Sequence, residues 1–221
     1  MTKNIVVVDY HKGNLSSVER GLDDAGASAL ISDKPADIES ADGVVIPGVG
    51  AFADAMAFMN ESGQAEALRT AIAQGKPFLG ICLGTQLMFD RGCENVPQDG
   101  SVGFERDGVY WVEGLGFLKG ACVRLPEVGL KVPHVGWNQV SITEAGQTCA
   151  LLTPDMDGRN FYFTHSYVSV PEDPEVIAAT TDYAKVFPSI VCKGNAFGCQ
   201  FHPEKSSRTG ALIMQRFVEL V

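Results

Sequence analysis

The chain has 221 residues, 45% of them apolar, with 27 acidic against 17 basic side chains and a formal net charge of −10. That length suits one domain with a sizeable core, and the acidic excess argues against nucleic acid as a partner. The apolar runs are too short to cross a bilayer, no signal peptide is expected ahead of a chain that opens on a strand, and six scattered cysteines without a C-x-x-C pair suggest neither a disulfide framework nor a zinc site.

In chain order, Ile5-Val6-Val7-Val8 is a continuous apolar run, the pattern of a strand covered on both faces. A loop over 10–14 leads to a helix with apolar positions Leu15, Val18, Leu22 and Ala25. Strands are predicted over 29–31 and 43–46, and helices over 51–59 and 64–74, the second stopped by Gly75. A strand over 78–82 completes a βαβ order, which predicts an α/β fold with an open, mostly parallel sheet and flanking helices. From about 100 to 200 the chain becomes strand-rich, with Gly and Pro punctuation. Strands are predicted over 161–170, 176–181, 190–192 and 197–201, the last two joined by a hairpin turn at 193–196. Cys192 and Cys199 on these strands are expected to pack in the core. An amphipathic helix with Ile213, Phe217 and Leu220 ends the chain. Residues 1–221 read as a single domain. The Gly-rich segment 93–116, with Phe104, Tyr110 and Trp111, reads as an inserted loop or hairpin, a surface elaboration rather than a site.

Gly80-Ile81-Cys82-Leu83-Gly84 carries the chemistry. An apolar strand enters it and a helix over 85–89 leaves it, so Cys82 stands at a sharp strand-to-helix turn with glycine on both sides. Such a turn pushes the side chain out of the sheet, and the following helix aims its N–H groups at the sulfur, which favours a thiolate. The Leu83 N–H is placed to bond a developing oxyanion. A second segment, Gln200-Phe201-His202-Pro203-Glu204, supplies a base. Residues i and i+2 of an extended chain face the same way, so Glu204 can stand behind the His202 ring and hold it.

Together these two segments resemble the class I (triad-type) glutamine amidotransferases. Ile46-Pro47-Gly48-Val49-Gly50 resembles the oxyanion strand of that family. Pro133-His134-Val135-Gly136-Trp137-Asn138 and Tyr162-Phe163-Thr164-His165-Ser166-Tyr167 resemble the glutaminase subunits of imidazole glycerol phosphate synthases, and the likeness spans nearly the whole chain. It implies hydrolysis of the glutamine side-chain amide by Cys82, His202 and Glu204, with no cofactor and no metal. The second oxyanion donor is expected from Val49, between Gly48 and Gly50 at the substrate. Gln86, His165, Ser166 and Tyr167 are expected to hold glutamine.

The resemblance also implies a partner, a (βα)8-barrel cyclase subunit in a 1:1 heterodimer that receives the ammonia, in the cytoplasm. Asn14 and Trp137 are its expected contacts. The loop 9–15 departs from the Asp-Tyr-Gly-x-Gly-Asn-Leu pattern by having His11 where glycine is usual. Glycine there permits a positive φ, which histidine adopts only at a cost. His134 is expected to be structural. Three other readings stay open: a paralogous subunit supplying a different synthase, such as one making an amino sugar; an inactive binding module; and a peptide-cleaving cysteine hydrolase.

Overall fold

A computed structural model describes residues 2–221. The first half contains β1 (Asn4–Val8), α1 (Leu15–Asp24), β2 (Ser28–Ser32), α2 (Pro35–Ser40), β3 (Gly43–Ile46), α3 (Phe52–Glu61), α4 (Gln64–Ala73), β4 (Phe78–Ile81) and α5 (Leu83–Leu87). There follow β5 (Phe89–Gly92), β6 (Phe104–Arg106), β7 (Val109–Glu113), β8 (Leu118–Arg124), β9 (His134–Gln139) and β10 (Ser141–Ile142). The remainder is β11 (Asn160–His165), β12 (Tyr167–Pro171), β13 (Ile177–Tyr183), β14 (Lys185–Lys193), β15 (Ala196–Cys199) and α6 (Ser207–Leu220).

The main sheet runs β10-β13-β14-β15-β4-β3-β1-β2. From β15 to β2 each neighbouring pair is parallel. The strands β14, β13 and β10 extend the sheet as an antiparallel wing. The mostly parallel sheet predicted from the βαβ order is therefore present, and the strand-rich half adds to its edge.

Alternation along the strands divides the core in two. Ile5, Val7, Val45, Leu79 and Ile81 face α1 and α6, where Val18, Leu22, Ile213 and Phe217 pack. Val6, Val8, Val44 and Phe78 face the other way, towards α3, α4 and a second, five-stranded sheet, β12-β8-β5-β7-β6. A continuous apolar run such as 5–8 is what a strand with both faces covered requires. Among the described residues no helix is long and apolar enough to cross a membrane.

Four expectations are corrected. The strand over 161–170 is broken at Ser166: β11 pairs with β9, whereas β12 pairs with β8 in the other sheet. Phe161, Phe163 and His165 are buried in turn, and Val168 is buried beyond the bend, so the apolar run looks continuous in sequence although its alternation shifts at Ser166. The helix after Cys82 ends at Leu87, and Phe89 already begins β5. The strand ending at 201 stops at Cys199. The segment 93–116 contains the expected hairpin, β6–β7, but β7 pairs with β5 and buries Trp111 and Val112, so the hairpin is the outer edge of the second sheet and more than a surface elaboration. Cys199 is fully buried, and Cys192 is half-buried against the core, as expected of structural thiols.

The elbow after β4 is held close to the sheet. A Cβ added at Gly84 would overlap the carbonyl oxygen of Ile46, and one at Gly80 would lie 2.6 Å from the carbonyl carbon of Gly84. Neither obstacle is a flexible side-chain end, so alanine cannot be absorbed by a rotamer change. Gly84→Ala is expected to cost about 2–4 kcal/mol and to lower Tm by roughly 5–15 °C for a chain of this size. Thermal unfolding followed by circular dichroism measures it, and a Tm within about 2 °C of wild type would show that the elbow can move off β3.

Candidate active site

The strands β3, β4 and β15 lie side by side and run the same way, so their carboxyl ends share one edge. Ligand sites in open α/β sheets lie beyond that edge. The segments leaving it here are 47–50, Cys82 and 200–202. Cys82 has φ 50 and ψ −103, a strained conformation for a residue with a side chain. The turn is pinned where it forms. Cys82 N–H donates to the Cys199 carbonyl at 2.7 Å, and the Thr85 hydroxyl lies 2.8 and 2.9 Å from the carbonyls of Cys199 and Gly80.

His202 and Glu204 come together as expected, but on a turn rather than an extended strand. Pro203–Lys205 is a single turn of 3₁₀ helix, opened by a proline that needs no N–H partner there. The His202 N–H donates to the Tyr162 carbonyl at 2.9 Å, and the Ser206 hydroxyl donates to the His202 carbonyl at 2.6 Å. The ring is thereby anchored to β11 and to the start of α6. His202 Nδ1 lies 2.8 Å from Glu204 Oε1, with both side chains 2% exposed. Nε2 is buried and has no aligned hydrogen-bond partner in the protein, so it is the nitrogen left to exchange a proton with Cys82. Burial opposes a charge on the ring, but Cys82 and then Glu204 outweigh it and carry the His202 pKa to about 10. The Cys82 thiol donates to the Thr164 carbonyl at 3.8 Å.

The oxyanion side is not preset. Val49 N–H, expected as an oxyanion donor, here donates to the Tyr10 hydroxyl at 3.3 Å. That hydroxyl in turn donates to the Pro47 carbonyl at 2.7 Å and lies 3.1 Å from the Val49 carbonyl. Burial pushes the Tyr10 phenol far above its usual range, so the hydroxyl stays protonated. Gly48 is a packing glycine, because a Cβ there would overlap the Ile81 carbonyl oxygen. Gly50 holds φ 119, which only glycine adopts freely. Leu83 is the first residue of α5, and the residue four positions back, Leu79, belongs to β4, so the Leu83 N–H has no acceptor within the helix.

A cavity of about 300 Å³ opens over Cys82. Gly48, Val49, Gly50, Leu83, Gln86, His165, Ser166 and Tyr167 all line it, together with Glu94, Pro133 and Thr164. Gln86 gives its Nε2 hydrogens to the Tyr167 carbonyl at 2.9 Å and to Gln200 Oε1 at 3.2 Å, so only its Oε1 remains to meet a ligand. The two ring nitrogens of His165 are engaged by Tyr167 and His134, so it borders the cavity without a free polar atom. Glu94 was hidden in a segment read as surface. Its Oε2 accepts from Phe52 N–H at 3.2 Å, and burial raises its pKa. Tyr10 and Gln200 stood beside motif residues with nothing in their spacing to mark them.

Asn14 and Trp137 lie outside the cavity. Asn14 is exposed, and Trp137 is 54% exposed with its ring edge-on to Tyr162, so it is not a core tryptophan. His134 is buried and stacked between Tyr183 and Phe163, a structural position. His11 holds φ 61, as a glycine position demands, with its N–H on Asp9 and its ring edge-on to Phe58.

Residues 6–220 match the family described as "Glutamine amidotransferase class-I". The chain is 45% identical over 217 residues to "Imidazole glycerol phosphate synthase subunit HisH" of Moorella thermoacetica, covering 98% of this chain and 95% of that protein. It is 44% identical over 220 residues to the protein of the same name from Natronomonas pharaonis, covering 99% and 95%. Among solved structures, PurLQS from Thermotoga maritima has TM-score 0.71 at 18% identity, covering 100% of this chain and 99% of that one. The glutaminase domain of Trypanosoma brucei CTPS with bound acivicin has TM-score 0.63 at 15% identity, covering 99% and 94%. At those identities the structures speak for the fold alone.

The electrostatics of the pair can be tested directly. With its pKa near 10, the His202 ring is protonated at neutral pH and releases its proton only in the alkaline range. The largest support for that charge comes from Cys82. Cys82→Ala is therefore expected to move the His202 titration to lower pH, read from the ring resonances of ¹³C-labelled histidine. An unchanged titration would show that Glu204 alone holds the charge.

Proposed function

The chain belongs to the class-I glutamine amidotransferase family, and we propose that it is the glutaminase subunit of an imidazole glycerol phosphate synthase. It hydrolyses glutamine to glutamate and ammonia. The ammonia passes to a cyclase partner, which makes imidazole glycerol phosphate and an aminoimidazole carboxamide ribotide in histidine biosynthesis. The near-full-length identity to HisH subunits carries this reading. The partner is a (βα)8-barrel subunit in a 1:1 complex, in the cytoplasm. Exposed Trp137 and the loop bearing Asn14 suit its interface, since tryptophan anchors interface centres.

In this mechanism His202 already holds on Nε2 the proton given up by Cys82, and the thiolate attacks the amide carbon of glutamine. Charge builds on the former carbonyl oxygen, where Leu83 N–H and Val49 N–H stabilise it. His202 then gives its proton to the departing nitrogen, and ammonia leaves a thioester on Cys82. A water, deprotonated by His202, hydrolyses the thioester and frees glutamate. Glu204 keeps the ring in one tautomer and balances its charge. The Glu94 carboxylate suits the α-ammonium of glutamine, whose charge would offset the burial of that side chain. Gln86 Oε1, Ser166 and Tyr167 complete the polar wall. His165 shapes it.

The Val49 peptide must turn before it can serve. Its N–H faces Tyr10 at rest, and the flanking glycines make the turn inexpensive. The donor is thus withheld in the isolated chain, and a partner that engages the loop carrying Tyr10 and Asn14 supplies the release.

Two experiments bear on this reading. Cys82→Ala is expected to abolish glutamine-dependent synthesis by the assembled enzyme and to spare synthesis from ammonium salt, because the cyclase needs only the amine. Residual glutaminase above a few per cent of wild type would remove Cys82 from the role of nucleophile. Tyr10→Phe deletes the hydroxyl that holds Val49. The partner-free glutaminase rate should then rise by about tenfold or more, from the worth of an oxyanion donor. An unchanged or lower basal rate would show that Tyr10 does not restrain the peptide.

A further inference from the structure

A chain of hydrogen bonds beside Cys82 fixes the direction of a buried amide that the mechanism above does not use. The Tyr167 carbonyl can only accept hydrogen bonds. It lies 2.9 Å from the Gln86 carboxamide and 2.9 Å from His165 Nδ1. The end of Gln86 that faces it is therefore the NH2 group, and the His165 proton sits on Nδ1. The second hydrogen of that NH2 points to the Gln200 carboxamide, 3.2 Å away, which must present its Oε1. The NH2 of Gln200 is then turned to the other side, where it meets Cys82 Sγ at 3.6 Å.

The far branch obeys the same accounting. His165 Nε2, without a proton, lies 3.1 Å from His134 Nδ1, and Asn138 Nδ2 lies 3.4 Å from His134 Nε2. Burial holds both rings neutral at physiological pH, with pKa values near 4 for His134 and 3 for His165, so each keeps one donor and one acceptor. Gln200 is fully buried. Turning its amide over would set NH2 against NH2 and a carbonyl oxygen against the sulfur, two mismatches with no solvent to relieve them.

Two groups thus contact the sulfur with opposite preferences. The Thr164 carbonyl accepts from a thiol, whereas the Gln200 N–H donates to a thiolate. When the Cys82 proton passes to His202 Nε2, the sulfur keeps only its acceptor role. We propose that Gln200 is a further catalytic residue, whose buried carboxamide donates to the Cys82 sulfur and stabilises its thiolate in the resting enzyme and again when the thioester is cleaved. This rests on the glutaminase reading above.

The test uses two substitutions in the full chain. Gln200→Met keeps the bulk and removes the donor. Gln200→Glu keeps an acceptor for Gln86 and sets a carboxylate oxygen against the sulfur. Alkylation of Cys82 by iodoacetamide, followed by peptide mass spectrometry across pH, reads the thiolate. Its midpoint should move up by about one pH unit in Gln200→Met and further in Gln200→Glu, the effect of losing a hydrogen bond to a charged group. The kcat for glutamine should fall about tenfold or more with KM within about threefold, because the contact is made to the nucleophile and not to the substrate. If one variant fails to fold, judged by circular dichroism, the other decides. An alkylation midpoint equal to that of wild type, or a change confined to KM, would overturn the proposal and leave Gln200 as a support for Gln86. Failure of a glutamine-mimicking diazo ketone to label wild-type Cys82 would overturn the glutaminase reading instead, and the alkylation profile would still judge Gln200.

Discussion

Everything at this site depends on the parallel pairing of β15 with β4, and of β4 with β3. Strands 118 residues apart in sequence, counted from Cys82 to Gln200, are set next to each other with the same polarity. Their exits therefore open at one edge, and Cys82, His202 and the 47–50 loop leave from three adjacent strands. The Cys199 carbonyl makes the join explicit, because it takes both the Cys82 N–H and the Thr85 hydroxyl. A residue at φ 50 and ψ −103 costs of order 1–3 kcal/mol and persists only when its surroundings over-determine it. Here those surroundings are the β15 carbonyl behind it and the glycine contacts of α5 against β3. Strain, packing and catalysis are one arrangement, so the glycines of the elbow cannot be traded for alanine on local grounds.

The buried triad makes sense electrostatically only as a unit. A carboxylate or an imidazolium alone at 2% exposure would be costly to desolvate. Each charge is tolerated because another faces it. Glu204 lies behind the ring and Cys82 in front, and the ring carries the positive charge between them. The same burial that would penalise one charge strengthens the attraction among three. Removing the ring would leave its two neighbours without a counter-charge, and removing either neighbour changes what the ring faces, so the roles of the three residues are not additive.

Much of this was legible in the sequence for physical reasons. The βαβ order, the elbow and the His-x-Glu pair are local signals, each set by a period or a glycine. The pair at His202 and Glu204 survived an error about its backbone, since an i, i+2 spacing works on a 3₁₀ turn opened by Pro203 as well as on a strand. What sequence could not reveal was long-range. The break at Ser166 is hidden because apolar and aromatic residues continue on both sides of it while the chain changes sheets. Glu94 was missed because its segment is Gly-rich and looked like surface, although β7 stitches that segment to β5 and brings the carboxylate to the cavity. Tyr10 falls in a loop, and its hydroxyl reaches Pro47 from 37 positions away. No periodicity reports such a contact.

The two halves of the catalytic apparatus are prepared differently. Around the sulfur the polarity is settled: the Tyr167 carbonyl orients Gln86, and Gln86 orients Gln200, in a chain whose other branch runs through His165 and His134 to Asn138, beside exposed Trp137. Around the oxyanion it is unsettled, because Val49 N–H is held by Tyr10. In the proposed function, a subunit with its nucleophile ready and one donor withheld would bind substrate yet forfeit about a hundredfold to a thousandfold in rate. Supplying the donor is then enough to start it. A partner needs no contact with glutamine to do so; it needs only to prefer the turned peptide. Moving that equilibrium from 1:99 to 99:1 takes about 5.5 kcal/mol of differential affinity, within the reach of one interface. The loop bearing Tyr10 and the strand bearing Trp137 both present exposed residues, and each connects inward by hydrogen bonds, one to Val49 and the other to the chain that ends at Gln200. Ammonia would then be released only when the protein able to consume it is already docked.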